Sequence, residues 1–379
     1  MDYSPPASHT NPEAETTPRS ASSVIARALR LLQSADSDSK LQAAREIRRL
    51  TKTSQRCRRQ LADAVRPLVS MLRLDSPELN EAALLALLNL AVKDETNKIS
   101  IVDAGALGPI ISFLQSISSE LQEYAAAALL TLSASTVNKP VISSSGAIPL
   151  LVGILEGGSH QARIDALMAL YNLSTHLDNL SIILEAQPVP AIVALLKSCR
   201  KSSKAAEKCT ALIESLVSYE EGRTALTSEE GGVFTIVDVL ENGSLQGREY
   251  AVGTLLTMCQ SDRCKYRVPI LEEGVIPGLL ELTVQGTPKS QVKARTLLIL
   301  LRDSPYPRSE CQPDSLENIV CNIISHINGD DQSDKAKKML AEMVQVSMEQ
   351  SLRHLQQRAL VYPPADMPLN SCTSEVSSK

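Results

Sequence analysis

The sequence has no tryptophan and only two phenylalanines among 379 residues, with eight tyrosines. A core so poor in rings must be filled by Leu, Ile, Val and Ala, which suits small, closely packed helices. Leu and Ala are also strong helix formers, so the composition predicts an all-α protein. No apolar run approaches the ~20 residues that a membrane-spanning helix needs. The first twenty residues are rich in Pro, Ser and Thr and lack the apolar centre of a secretory signal. The eight cysteines (57, 199, 209, 259, 264, 311, 321 and 372) are scattered, with no close pair at zinc-finger spacing. They are read as reduced thiols, which makes the cytosol or nucleus the expected compartment. A net charge of −5 gives no general case for nucleic acid or an anionic membrane as partner.

Catalytic signatures are equally scarce. The five histidines (His9, His160, His176, His326 and His354) fall in unrelated places, and none sits with other ligand types in a pattern that suggests zinc. There is no phosphate-binding loop, no G-x-G-x-x-G and no G-x-S-x-G. The expectation is a non-enzyme without metal or cofactor.

What is abundant is repetition. The stretches RRLTKTSQRCRR, LNLAVKDETNKI, LTLSASTVNKPV, YNLSTHLDNLSI, ESLVSYEEGRTA and LTMCQSDRCKYR each close an Ala/Leu-rich segment. Within those segments a small residue recurs at Ala43, Ala83, Ala125, Ala166, Cys209, Ala251, Ala294 and Ala336. The separations are 40, 42, 41, 43, 42, 43 and 42 residues. A period of about 40–47 residues is that of helical repeats with two or three helices each. A small residue in one helical register marks the closest crossing of neighbouring helices. A second feature follows about twenty residues later: Gly105-Ala106-Leu107, Gly146-Ala147-Ile148-Pro149, Gln187-Pro188-Val189-Pro190, Gly231-Gly232-Val233 and Gly274-Val275-Ile276-Pro277. Glycine permits the positive φ of a sharp turn between helices, and proline is tolerated in a first helical turn.

The strings SGAIPLLVGIL, EYAAAALLTLSA and ALYNLSTHLDN resemble armadillo repeats, and more narrowly the armadillo regions of plant U-box ubiquitin ligases. KLQAAREIRRLTKTSQRCRRQLADA is similar to the segment that follows the U-box there. The resemblance covers roughly residues 24–348. No Cys-Pro-Ile signature of a U-box is present. The resemblance implies a right-handed α-solenoid of about seven to eight repeats of ~42 residues that binds partners without catalysis. A separate reading makes the chain the substrate-binding part of a ubiquitin-ligase assembly with a separate catalytic partner.

By composition, residues 1–21 form a disordered tail, residues 22–348 the repeat array with a degenerate last unit, 349–361 an extension of a capping helix, and 362–379 a second disordered tail.

In the armadillo family the third helix of each unit lines a concave groove, and an Asn near its end clamps the backbone of a bound peptide. The resemblance carries that Asn to Asn89 and Asn172; Arg49, Thr131, Ser215, Thr257 and Leu300 replace it elsewhere. Steps of four and seven residues back along a helix stay on one face. They add Arg45, Leu85, Tyr124, Asp165, Lys208 and Tyr250, with Ala82, Ala127, Met168, Ala211 and Gly253 between them. The expected partner is a protein segment, extended or helical, and an Asp165–Lys208 ion pair between repeats is expected. Nuclear-import adaptors of this fold carry Trp four residues before the Asn, and its absence here speaks against that role. The cations from Lys40 to Arg59 leave two readings open: a site for an acidic ligand, or a solvated polar face.

Overall fold

Each long helix of the repeat starts on a short polar side chain. In the computed structural model, which describes residues 18–302, there are twenty α-helices, numbered α1 to α20 in chain order, and no strand among the described residues. Seven of these are the third helices of successive units: α2 (Ser37–Thr51), α5 (Pro77–Ala91), α8 (Ser119–Ser133), α11 (His160–Ser174), α14 (Lys204–Leu216), α17 (Leu245–Ser261) and α20 (Pro288–Leu301). Their N-caps are Asp36, Ser76, Ser118, Ser159, Ser203, Ser244 and Thr287, and every one accepts a hydrogen bond from the backbone N–H three residues on. This satisfies a donor that the helix itself cannot, an effect worth about 1 kcal/mol per cap.

Short first helices lie between them: α3 (Gln55–Gln60), α6 (Glu95–Asp103), α9 (Asn138–Ser144), α12 (Asn179–Glu185), α15 (Glu220–Ser228) and α18 (Arg263–Glu272). The second helices are α4 (Val65–Met71), α7 (Leu107–Phe113), α10 (Ala147–Gly157), α13 (Val189–Ser198), α16 (Gly232–Asn242) and α19 (Ile276–Gln285). The first-to-second turn is left-handed at Gly105, Gly146, Gly231 and Gly274, with φ of +82°, +81°, +65° and +73°. Gln187 takes the same turn at +51°, so one unit keeps the geometry without the residue that makes it easy. No single described helix is long and apolar enough to cross a membrane.

The small-residue register is the centre of the core. Ala43, Ala83, Ala125, Ala166, Cys209, Ala251 and Ala294 all have no exposed surface, while Ala336 lies outside the described residues. Leu and Ile pack around them in one continuous cluster running from α1 (Pro18–Leu32) to α20. Helix α1 begins at Pro18, inside the stretch that composition reads as tail, and packs on α2. The proposed last unit, its capping extension and the C-terminal tail also fall outside the described residues.

A polar register accompanies the apolar one. A side chain of each of five first helices turns back onto the last carbonyls of the preceding third helix. Arg58 donates to the carbonyls of Thr51 (2.9 Å) and Lys52 (3.1 Å), and Asn97 to Leu90 (3.1 Å). Asn138 donates to Leu132 (3.2 Å), Asn179 to Leu173 (3.0 Å), and Arg223 to Val217 (2.9 Å). Helix ends leave such carbonyls without partners, and these five side chains are how the fold satisfies them where the chain turns.

Candidate partner-binding groove

Successive third helices pack side by side in the order α2, α5, α8, α11, α14, α17, α20. That stacking decides which of the expected groove residues can meet. Glu214 on α14 and Lys293 on α20 form an ion pair of 2.7 Å although they stand 79 residues and two units apart. Axes two helices apart are separated by roughly 16–20 Å when neighbours pack at 8–10 Å. Side chains bridge that gap only where the helices curve toward each other, so the third-helix face is the concave one.

The bridge passes over Gly253 of α17. A Cβ built there would lie 1.7 Å from the Glu214 carboxylate and 2.7 Å from the Lys293 ammonium. The glycine therefore leaves the space in which the pair sits. Burial holds the Glu214 carboxyl above its ordinary range even with the Lys293 ammonium beside it; desolvation outweighs the attraction, as it does for many buried pairs.

Tyr171 and Tyr250 repeat the arrangement one unit earlier, with the same sequence offset. Burial first, and then the neighbouring Tyr171 hydroxyl, push the Tyr250 phenol up to about 12. The Lys208 ammonium stands 3.9 Å from the centroid of the Tyr171 ring, within reach of a cation–π attraction. Lys208 also lies 3.9 Å from Glu207. The expected ion pair with Asp165 does not form: Asp165 is buried and accepts from Gln161 at 3.0 Å instead. Burial, the larger cause, raises its carboxyl above the usual range.

The N-terminal stretch is arranged differently. Arg45, Arg48 and Arg49 are exposed on α2. Arg49 donates twice to Glu46, at 2.9 and 2.7 Å. Tyr124 on α8 is half-buried. Its phenol is held above the ordinary value by burial first and then by Glu81 and Glu120, with Arg48 opposing. Leu85 is 8% exposed and contributes to the core more than to a surface.

Both clamp positions are engaged within the chain. The Asn89 amide donates to the Arg48 carbonyl at 2.9 Å. The Asn172 amide donates to the Leu130 carbonyl and to the Ser133 hydroxyl, each at 3.2 Å. Each Asn thus ties its helix to the end of the preceding third helix, and its carbonyl oxygen keeps the capacity to accept. At the equivalent positions the Thr131 and Ser215 hydroxyls turn back to their own helices, onto Ala127 (2.9 Å) and Ala211 (3.2 Å). Thr257 is half-buried on α17.

The sequence reading of the Lys40–Arg59 cluster treated its members alike, and the structure separates them. Arg58 is buried and spent on helix-end carbonyls. Arg59 approaches Asp94 at 4.0 Å. Cys209 is fully buried, and burial raises its thiol far above the range in which a thiolate forms. Among the described residues, no group of three or more His, Cys, Asp or Glu side chains converges as a metal site.

The recurring caps, the first-helix Asn residues and Arg223 are the features that the sequence alone did not single out. Their signal was present as Asp, Ser or Thr before each Ala/Leu-rich segment and as Asn in NKI, NKP and NLS.

Comparison with known proteins agrees with this architecture. The chain matches the plant U-box protein armadillo-repeat region over residues 23–316. It is 36% identical over 98 residues to U-box domain-containing protein 45 of Arabidopsis thaliana, covering 26% of this chain and 12% of that protein. It is 32% identical over 98 residues to U-box domain-containing protein 17 of the same plant, covering 26% and 13%. The matched stretch is thus a small part of these relatives' length. A solved engineered protein is similar in fold, with a TM-score of 0.65 and 21% identity over 90% of this chain and 85% of its own. With its repeat, its stacked third helices and a match across most of its length, this chain belongs to the armadillo-repeat family of plant U-box proteins.

Proposed function

We propose that this chain is a non-catalytic scaffold that holds a segment of a partner protein along the concave third-helix face, chiefly at its N-terminal stretch. The observation that carries this is the serial placement of Arg45, Asn89, Tyr124, Thr131 and Asn172 on adjacent third helices. A face that combines a cation, amide acceptors and a tyrosine offers both hydrogen bonding and an anchor of large area. Capture of partners from native plant extract, wild type against Asn89→Ala/Asn172→Ala, tests it. A partner lost by the variant, whose helical circular dichroism is unchanged, supports the groove. A partner retained by both would move binding to another surface.

The family relationship favours a second, finer reading: a substrate-binding component that works with a separate ubiquitin-ligase partner in the cytosol or nucleus. Co-purification with a U-box or RING protein is the expected result, and its absence from cross-linked extract would remove the reading.

A further inference from the structure

The cations of the described residues divide into those with a carboxylate partner and those without. Lys293 has Glu214 (2.7 Å), Lys98 has Glu95 (3.3 Å), Lys201 has Asp238 (3.5 Å) and Arg248 has Glu281 (2.9 Å). Arg45 and Arg48 have no carboxylate of the described residues within ion-pair reach. Both are exposed on α2, one helical turn apart.

Arg45 also lines a cleft of about 630 Å³ between α1 and α2. Val24, Leu31 and Leu41 give that cleft apolar walls, and Arg27 adds a second guanidinium from α1. Two acids are present, Asp38 and Glu46, but Glu46 is already held by Arg49. Arg27 reaches Glu46 only at longer range, and Arg45 has no ion pair among the described residues. The cleft therefore joins apolar walls to guanidinium groups with capacity left for a carboxylate, at the end of the groove.

We infer that this cleft is a docking site for an acidic peptide segment of a partner, one that alternates carboxylate and apolar side chains. Its carboxylates take Arg27 and Arg45, and its apolar side chains take the walls. Guanidinium–carboxylate pairs supply geometry as well as attraction, because the planar fork matches two oxygens. A concave, half-apolar site suits a peptide better than a flat anionic bilayer, which meets exposed cations without entering a cleft. The inference deepens the groove reading by naming the chemistry at one end, and it can fail alone because neither Arg27 nor the cleft is part of the Asn register.

The test is fluorescence anisotropy with a labelled alternating Glu-Leu peptide, the Gln-Leu peptide as neutral control, and parallel sedimentation with phosphatidylcholine vesicles with and without phosphatidylserine. Wild type is expected to bind the Glu-Leu peptide, more weakly as salt rises. Arg27→Gln/Arg45→Gln should weaken it at least about tenfold, the size of one charge-assisted hydrogen bond or more, while Arg200→Gln, which removes an exposed cation far along the array, binds like wild type. Equal binding of the two peptides, or binding unchanged by the Arg substitutions, would overturn the proposal. So would sedimentation with anionic vesicles without peptide binding, which would assign these cations to a membrane.

Discussion

The two ends of the third-helix face share one core and differ in what covers it. From α2 to α8 the face carries exposed arginines, an amide and a half-buried tyrosine, and Arg45 and Arg48 have no acidic partner among the described residues. From α11 to α20 the Tyr171–Tyr250 and Glu214–Lys293 pairs reach across an intervening helix and occupy the floor. Beneath both, the small-residue register is buried to the same extent. The scaffold is fixed by residues that face inward. Positions facing the concave side are free to leave the groove open or to fill it with the protein's own side chains.

If the core is common to both ends, overpacking it should hurt equally. Ala125→Leu and Ala251→Leu are each expected to cost about 1–3 kcal/mol, read from urea unfolding. A loss at Ala125 with none at Ala251 would break the comparison at its base. The next largest effect concerns polar ties. Asn97→Ala removes a buried side-chain donor to the Leu90 and Arg58 carbonyls, and should cost about 1–3 kcal/mol. Asn89→Ala removes one bond at a less buried position and should cost about 0.5–1.5 kcal/mol. A larger loss from Asn89 than from Asn97 would make the groove Asn chiefly a structural cap.

The smallest effect sharpens the description of the filled end. Burial raises the Glu214 carboxyl in the folded state, so the folded protein binds that proton more tightly than the unfolded chain. Glu214 thus favours folding below the ordinary carboxylate range, and the contribution is lost as pH rises through its folded value. Glu214→Gln should therefore lose nothing at neutral pH and gain on wild type between acid and neutral conditions. Lys293→Met leaves the half-buried carboxylate without its partner and should destabilise more as pH rises. Thermal unfolding of the three proteins across that range checks both, and a neutral-pH loss in Glu214→Gln would mean that attraction, not desolvation, dominates the bridge.

Much of the fold was legible in the sequence because its signals are local and periodic. The Ala and Cys slots, the turn glycines and the Ala/Leu-rich helices announce themselves every ~42 residues. Asn89 and Asn172 were recognisable as residues, but not their engagement, since their acceptors lie on a neighbouring unit. Arg58 looked like its neighbours in a basic run, yet the connector folds it inward onto Thr51. Nothing in the chain order of Glu214, Gly253 and Lys293 marks them as one site.

The sequence by itself determined the helical class, the period and the buried register, because helix propensity and apolar spacing act over a few residues. Only the tertiary structure decided which polar side chains are consumed and where the groove stays open. Those contacts depend on how strongly each helix curves over the one before, and that curvature belongs to the stacked array and to no single repeat.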